Sequence, residues 1–502
     1  MRSIWAVARA TFIECLRTRI AMVFLVLLAV CVLGMAMTLE GDGTLKGRIQ
    51  TFLSYSVSTT QILLGLVTVF LTTSILTSDM RRKTIFTVAS KPLHRWQYVS
   101  GRWLGIVLLN AALLTVSVAS IYGLAHWLRG LPTQLEAKHA AGLGRPNEPD
   151  MDRLGVDNEV FTARERRSSD PLDVEAAVNA RMEQLVKERG LDAILRGYVF
   201  QQLQEEMASR RELGELDERE VQRLLQDSSF REKTLSNLRI RLRGEELGRI
   251  YLVQPGQSTR MTFSGLSEAA KRGEPLQMQY ELYPMQTVSS STLQTLWVLV
   301  NPKTGDEVYY PRTDSTNSAS SLMVPSGIIS DDGHVVLYYV NNTNLQDEPV
   351  AVKIKPEDIR LMYRTGGFED NLLRSTGLIL LRLSFLAAAG VLFGTCLSFP
   401  VACLTCLLVF GLGAASAFVV EATQLHGGGT LFERFCEAMA WVAFKLIPTF
   451  GNTSPVDPLV DGTLISLNTL GWALAGTGGR TVLALALGCL IFWRRELARV
   501  QV

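Results

Sequence analysis

Few residues in this sequence have the type and spacing to do covalent chemistry. The five histidines, His94, His126, His139, His334 and His426, are scattered, and no two stand at metal-ligand spacing. Neither HExxH nor GxSxG occurs, so the zinc-hydrolase and serine-hydrolase signatures are both absent. No glycine is followed by lysine, which excludes the phosphate loop GxxxxGK[ST]; nucleotide energy, if used, must be bound by another chain. The expectation is a non-enzyme with no cofactor or metal of its own. What the sequence offers instead is a cationic island, SDMRRKTIFTVASKPLHRWQYVSGRW at residues 78–103. Arg81, Arg82, Lys83, Lys91, Arg95 and Arg102 stand there against one anion, Asp79.

The elements around the island are apolar. Of 502 residues, 130–373 hold 38 of the 48 acidic and 29 of the 50 basic ones, a net of −9, and the remainder carries a net of +11. Outside the charged block lie long uncharged runs: Ile20–Met37, Ile49–Ser78, Trp103–Leu128, Leu383–Val420 and Thr481–Trp493. About 20 apolar residues cross a ~30 Å hydrocarbon layer. The runs predict a polytopic α-helical membrane protein with six transmembrane helices, near 20–39, 58–78, 103–127, 377–397, 400–421 and 474–494. The fourth run divides at GTCLSFPV, because Pro400 suits the first turn of a new helix. The first run starts too late and is too long for a secretory signal, and it reads as an uncleaved anchor.

Orientation follows from the cations, since Lys and Arg in short loops stay cytoplasmic. Arg2, Arg9, Arg17 and Arg19 precede the first run, the island follows the second, and Arg494, Arg495 and Arg499 follow the last. One face can hold all three groups only with an even number of crossings. Both termini are then cytoplasmic and the charged block is extracytoplasmic. Phe435–Phe450, also fairly apolar, reads as an amphipathic or re-entrant outer-face piece within 430–472, ended by Pro448. Arg382, Arg480 and Glu421 map toward the outer half of spans four, six and five, where ionisable groups are costly and often functional. Either the long side chains snorkel to the outer head groups, or Glu421 neutralises one of the arginines.

The block 128–373 is expected to be a large α+β insert between spans three and four. Residues 132–168, with Pro132, Gly142, Gly144, Pro146 and Pro149 among mixed charges, read as a linker. Residues 170–247 place apolar residues at helical spacing (Val174, Val178, Met182, Leu185; Val221, Leu224, Leu225). From 248 to 365 the texture changes to short β-prone runs, among them TRMTFSGL, LQMQYELYP, TLWVLVNP and HVVLYYVNN, punctuated by turn signals. They predict a β-sandwich of seven or eight strands. None of the seven cysteines lies in 130–373, so a core must hold the insert without disulfides.

The membrane residues resemble permease subunits of ABC-2 type transporters, in the branch that includes the permease for nitrous-oxide-reductase maturation. The resemblance rests on the lead-in IWAVARATFIECLRTR with Glu14, on the island through GRWLG, where Arg102 stands in place of the usual Lys, and on LFGTCLSFPVA and LIFWRREL. It covers a little over half the chain and not the insert. It implies that 79–102 is a coupling loop docking into a groove of a cytoplasmic ABC ATPase, beside a lead-in helix at the membrane surface. The residues concerned are Asp79, Arg81, Lys83, Thr84, Phe86, Lys91, Pro92, Arg95, Trp96 and Gly101. It further implies ATP-Mg on that partner, a second permease, identical or related, and export across a bacterial inner membrane. No nucleic-acid partner is expected. An alternative is mechanotransmission, in which the ATPase drives the outer domain against an envelope partner rather than moving a solute. The island's cations also suit anionic lipid head groups, with or without ATPase docking.

Overall fold

A computed structural model describes residues 2–81, 94–141, 150–170, 174–210, 228–286, 292–346, 349–355, 358–416, 445, 447–448 and 454–494. The chain begins with α1 (Arg2–Arg17), α2 (Arg19–Thr38), α3 (Leu45–Arg81) and α4 (Arg95–Arg129). Short helices at Gln134–Ala140 and Met151–Gly155 and a π-turn at Val156–Val160 lead to β1 (Thr162–Ser168). Then come α5 (Val174–Arg189), α6 (Leu191–Arg210) and α7 (Ser228–Tyr251). Ten strands follow: β2 (Leu252–Val253), β3 (Ser258–Phe263), β4 (Leu276–Glu281), β5 (Tyr283–Pro284), β6 (Thr292–Val300), β7 (Glu307–Ser315), β8 (Ala319–Val324), β9 (Val335–Asn341), β10 (Val352–Lys353) and β11 (Arg360–Gly367). The chain continues through α8 (Phe368–Cys396) and α9 (Phe399–Ala414) to α10 (Gly479–Arg494), which a short helix Leu467–Ala473 and a π-turn precede. Two compact units result, Met1–Glu165 with Thr365–Val502, and Arg166–Arg364.

The first unit is a helical bundle. Among the described residues, four helices are long and apolar enough to cross a membrane: Leu45–Asp79, Arg95–Arg129, Phe368–Cys396 and Leu467–Arg494. A fifth is counted if α1 and α2, bent by 66°, form one span, and α9, at 16 residues, is shorter than a crossing. The chain is thus a membrane protein by helix length and composition. Contacts give the helix directions. Gln61 meets Arg382, and glycines at 390 and 394 meet Thr72 and Leu76, so α3 and α8 run parallel. Thr68 bonds Asn110 and Asp79 bonds Tyr98, so α4 runs antiparallel to α3. Gly65 faces Phe410, Val69 packs with Cys403 and Cys406, and α9 therefore runs back along α3. The end of α10 returns to the start of α4, where Phe492 stacks on Tyr98 and Arg95 donates to the Trp493 carbonyl at 2.9 Å.

Three boundaries differ from the sequence reading. The second apolar helix starts at Leu45, not near 58, where its first amides and Lys46 find acidic partners. The Asp152 carboxylate accepts from the Leu45 and Lys46 amides at 2.7 and 2.9 Å, and Lys46 pairs with Glu159 at 2.6 Å. A carboxylate at a helix N-terminus satisfies orphan amides and complements the dipole. Residues 79–102 are helical at both shoulders, since α3 runs to Arg81 and α4 starts at Arg95. Residues 132–168 are no mere linker: they hold two short helices, a π-turn and β1. Thr133 caps the first of these helices, and the Arg153 guanidinium reaches Glu136 and the Leu131 carbonyl at 2.8 and 3.0 Å. Of the residues that suggest a linker, Pro132 stands just before the first of these helices, and Gly142, Gly144, Pro146 and Pro149 lie outside the described residues.

In the second unit, two four-stranded sheets, β1-β11-β4-β8 and β3-β9-β6-β7, and a three-stranded ribbon β2-β10-β5 make eleven strands. That is more than seven or eight because β1 comes from the presumed linker and three strands are two residues long. Both large sheets feed one core, where the buried rings of Tyr280 and Tyr339 lie tilted against Trp297, centroids 4.4 and 4.8 Å away. Within it the buried Asp314 carboxylate accepts from Tyr280 and Thr295 at 2.8 and 2.6 Å, and from Arg312 at 3.1 Å. The helices α5, α6 and α7 close a smaller core around Val178, Leu195, Leu238 and Leu242, on which Val174, Met182 and Leu185 pack. Val221, Leu224 and Leu225 lie outside the described residues.

Candidate functional site

The island's flanks and the lead-in helix meet at one end of the bundle. Arg102, in the second turn of α4, is the hub. Its Nη2 lies 2.6 Å from Asp79 Oδ2 at the end of α3, and its Nη1 lies 2.5 Å from Glu14 Oε2 on α1. Its Nε donates to Tyr98 Oη at 3.2 Å, Nη1 also reaches Thr11 Oγ1 at 3.3 Å, and Tyr98 donates to Asp79. Planar guanidinium suits this role because it bonds several acceptors at fixed angles. Asp79 is only 8 % exposed, so the pair is desolvated, and one cation serves two carboxylates from different helices.

Packing reinforces the charges. A Cβ on Gly101 would stand 2.7 Å from Val7 Cβ, and one on Gly105 2.6 Å from the Ala8 carbonyl oxygen and from Thr11 Cβ. These glycines, spaced i and i+4 on α4, let the backbone of α1 approach closely, as small residues do where helices cross without a hydrophobic drive. Ala8, Thr11 and Cys15 of α1 are fully buried as a result. The charged hub and the glycine pair together hold α1 against α4.

The other residues singled out from the sequence are placed as follows. Arg81 ends α3, and Arg95 begins α4 with its bond to Trp493. Trp96 is 52 % exposed and borders an open cleft of about 790 Å³ with His94, Cys489, Leu490 and Trp493. Lys83, Thr84, Phe86, Lys91 and Pro92 lie outside the described residues, as does Glu421. Arg382 does not snorkel. It stands at the midpoint of α8, 7 % exposed, and its Nη1 donates to Gln61 Oε1 at 3.2 Å. The amide of Gln61 on α3 offers it an acceptor within the bundle, which a reading of depth alone could not reveal. Arg480 donates to the Lys445 and Gly476 carbonyls at 3.2 and 3.3 Å.

Tyr98, Thr11, Gly105 and Gln61 were not read from the sequence. The spacing of Gly101 and Gly105 was a visible signal; the others had none, because a single tyrosine or threonine in an apolar run predicts nothing by itself. Among the described residues no three His, Cys, Asp or Glu side chains could hold a metal ion. Three elements, α1, α3 and α4, are locked here by ion pairs and close backbone contact. No protein-family model matches the chain, and no curated protein or solved structure proved similar to it, so the site is read from its own geometry.

Proposed function

We propose that the chain is the membrane-spanning permease subunit of an ABC-2 type transporter, an exporter whose cytoplasmic ATPase docks on 79–102. The observation that carries this reading is the Glu14–Arg102–Asp79 hub. A segment that receives an ATPase must pass its displacement to the spans. Here both shoulders of the island are tied by a desolvated ion pair, and the surface helix α1 joins them through the half-exposed Glu14. The exposed Trp96 in the first turn of α4 supplies the kind of aromatic anchor that interfaces favour. In this reading α2, α3, α4, α8, the apolar run 400–421 and the 467–494 helix supply six crossings, with both termini and the island cytoplasmic. Two permeases and two ATPases form the working assembly in a bacterial inner membrane. Mechanotransmission is the second reading, favoured by the separate core of the inserted unit 166–364.

The test is co-expression with an ABC ATPase from the same organism. The ATPase is expected to co-purify, and Trp96→Ala to weaken that association without lowering membrane insertion. An ATPase that binds wild type and Trp96→Ala alike would overturn the docking assignment. ATPase stimulation by solutes, compared with stimulation by an envelope protein, separates export from mechanotransmission.

A further inference from the structure

Between α2, α3 and α4 the bundle leaves a crevice of about 380 Å³. Its walls are hydrocarbon: Leu28, Val32, Leu64, Val67, Leu113 and Leu124 among others. Two serines line it, but Ser117 and Ser120 donate their hydroxyls to the carbonyls of Leu113 and Val116, so they offer no donor to water. An apolar cavity of about 150 Å³ already stays dry and takes up benzene. This one is larger, and its edge residues Leu25, Leu33 and Val116 are exposed on the flank of the bundle. A Cβ added to Gly123, which lines the crevice, would meet nothing within 4 Å.

A cation stands above it. Arg48, in the first turn of α3, donates from Nη2 to the Ala36 carbonyl at 3.4 Å. Ala36 lies one helical turn beyond Val32 and Leu33 on α2. The Arg48 Nε is buried with no hydrogen-bond partner among the described residues. The neighbouring cations differ, since Lys46 is held by Glu159 and Arg129 by Asp157. A buried donor left unmatched is costly, so this one calls for an acceptor.

We propose that this is a phospholipid site: one acyl chain of a bilayer phospholipid fills the crevice, and its phosphate accepts from Arg48. The two features fit one molecule, an anionic head group one turn above a hydrocarbon slot. The inference rests on α2–α4 lying in a bilayer and not on the ATPase reading, so either can fail alone.

The test uses the full-length protein in phosphatidylethanolamine–phosphatidylglycerol vesicles doped with a phospholipid that carries a diazirine on its acyl chain. Crosslinks mapped by peptide mass spectrometry are expected on Leu28 and Leu124. Gly123→Leu fills open space and is expected to abolish them while leaving those on the exposed Val482 of α10. Phospholipid retained after detergent extraction is expected to fall about tenfold in Arg48→Gln, the order for one charge-assisted hydrogen bond, and less in Arg48→Lys. A diazirine fatty alcohol, which has no phosphate, should label the crevice equally in wild type and Arg48→Gln. Crevice labelling no greater than at Val482 or unchanged by Gly123→Leu, or equal retention in Arg48→Gln, would overturn the site.

Discussion

Arg102 and Asp79 stand on opposite shoulders of the cationic island, yet their side chains lie 2.6 Å apart and are 13 % and 11 % exposed. The island is thereby closed at its base like a loop with a clasp. Glu14 completes the clasp from α1 but is 50 % exposed on its side chain. Removing one partner of a buried pair strands the other charge, at about 3–5 kcal/mol, whereas exposed pairs contribute about 0–1 kcal/mol. Asp79→Asn should therefore lower thermal stability of the purified protein far more than Glu14→Gln. Equal losses, read from unfolding curves, would reject the clasp.

Gly105 and Gly123 lie on the same helix and should respond oppositely to alanine. Either change gains roughly 1 kcal/mol of helix propensity. At Gly105 the new methyl meets the Ala8 carbonyl oxygen, a backbone atom that cannot swing aside, and overpacking costs about 1–3 kcal/mol. Gly105→Ala should loosen α1 and speed tryptic cleavage after Arg9, which is exposed but held in an ordered helix. Gly123→Ala should leave that cleavage unchanged and raise the melting temperature.

Trp96 and the island's cations should separate affinity from encounter. Truncating an interface anchor costs about 2 kcal/mol or more, roughly 30-fold in affinity. Trp96→Ala should show that loss in ATPase pull-downs, with an unchanged melting temperature because the side chain is exposed. Charge reversal at Lys83 with Arg95 should mainly slow association and flatten its salt dependence. If the loop met only lipid, the aromatic change would leave ATPase association untouched.

The turn after α4 should loosen in acid. Glu136 is held below the ordinary glutamate range by its bonds from Arg153, at 3.2 and 2.8 Å, and by the Thr133 amide at 3.0 Å. Burial pushes Asp150 up, but the Thr133 hydroxyl and the amides of Arg153 and Asp152 outweigh it, and its net direction is also down. A depressed folded pKa means the contribution is present above the unfolded value and is lost as pH falls through the folded one. Both carboxylates are part-buried at the surface, so the effect is local. The protection of amides 133–141 against hydrogen exchange, relative to their intrinsic rates, should fall once pH drops below about 4, the ordinary carboxylate value. In Glu136→Gln the part of that acid dependence due to Glu136 should be gone.

The sequence by itself marked the apolar runs that lie in α2, α3, α4, α8 and the 467–494 helix and most strands of the inserted unit, but neither the start of α3 nor β1. Partition into hydrocarbon and alternation about a core depend on side-chain type and period, and both are local properties. It also placed Asp79 and Arg102 in the cationic island, and the family resemblance singled out Glu14. Only the tertiary structure decided that they meet, because pairing depends on the rotation and crossing of α1, α3 and α4. The same holds for Arg382, whose burial against Gln61 follows from α8 running parallel to α3. Residues 132–168 read as a linker because their stability comes from partners distant in sequence, Asp152 on the start of α3 and β1 beside β11. Such long-range contacts leave no periodic trace in the segment that makes them.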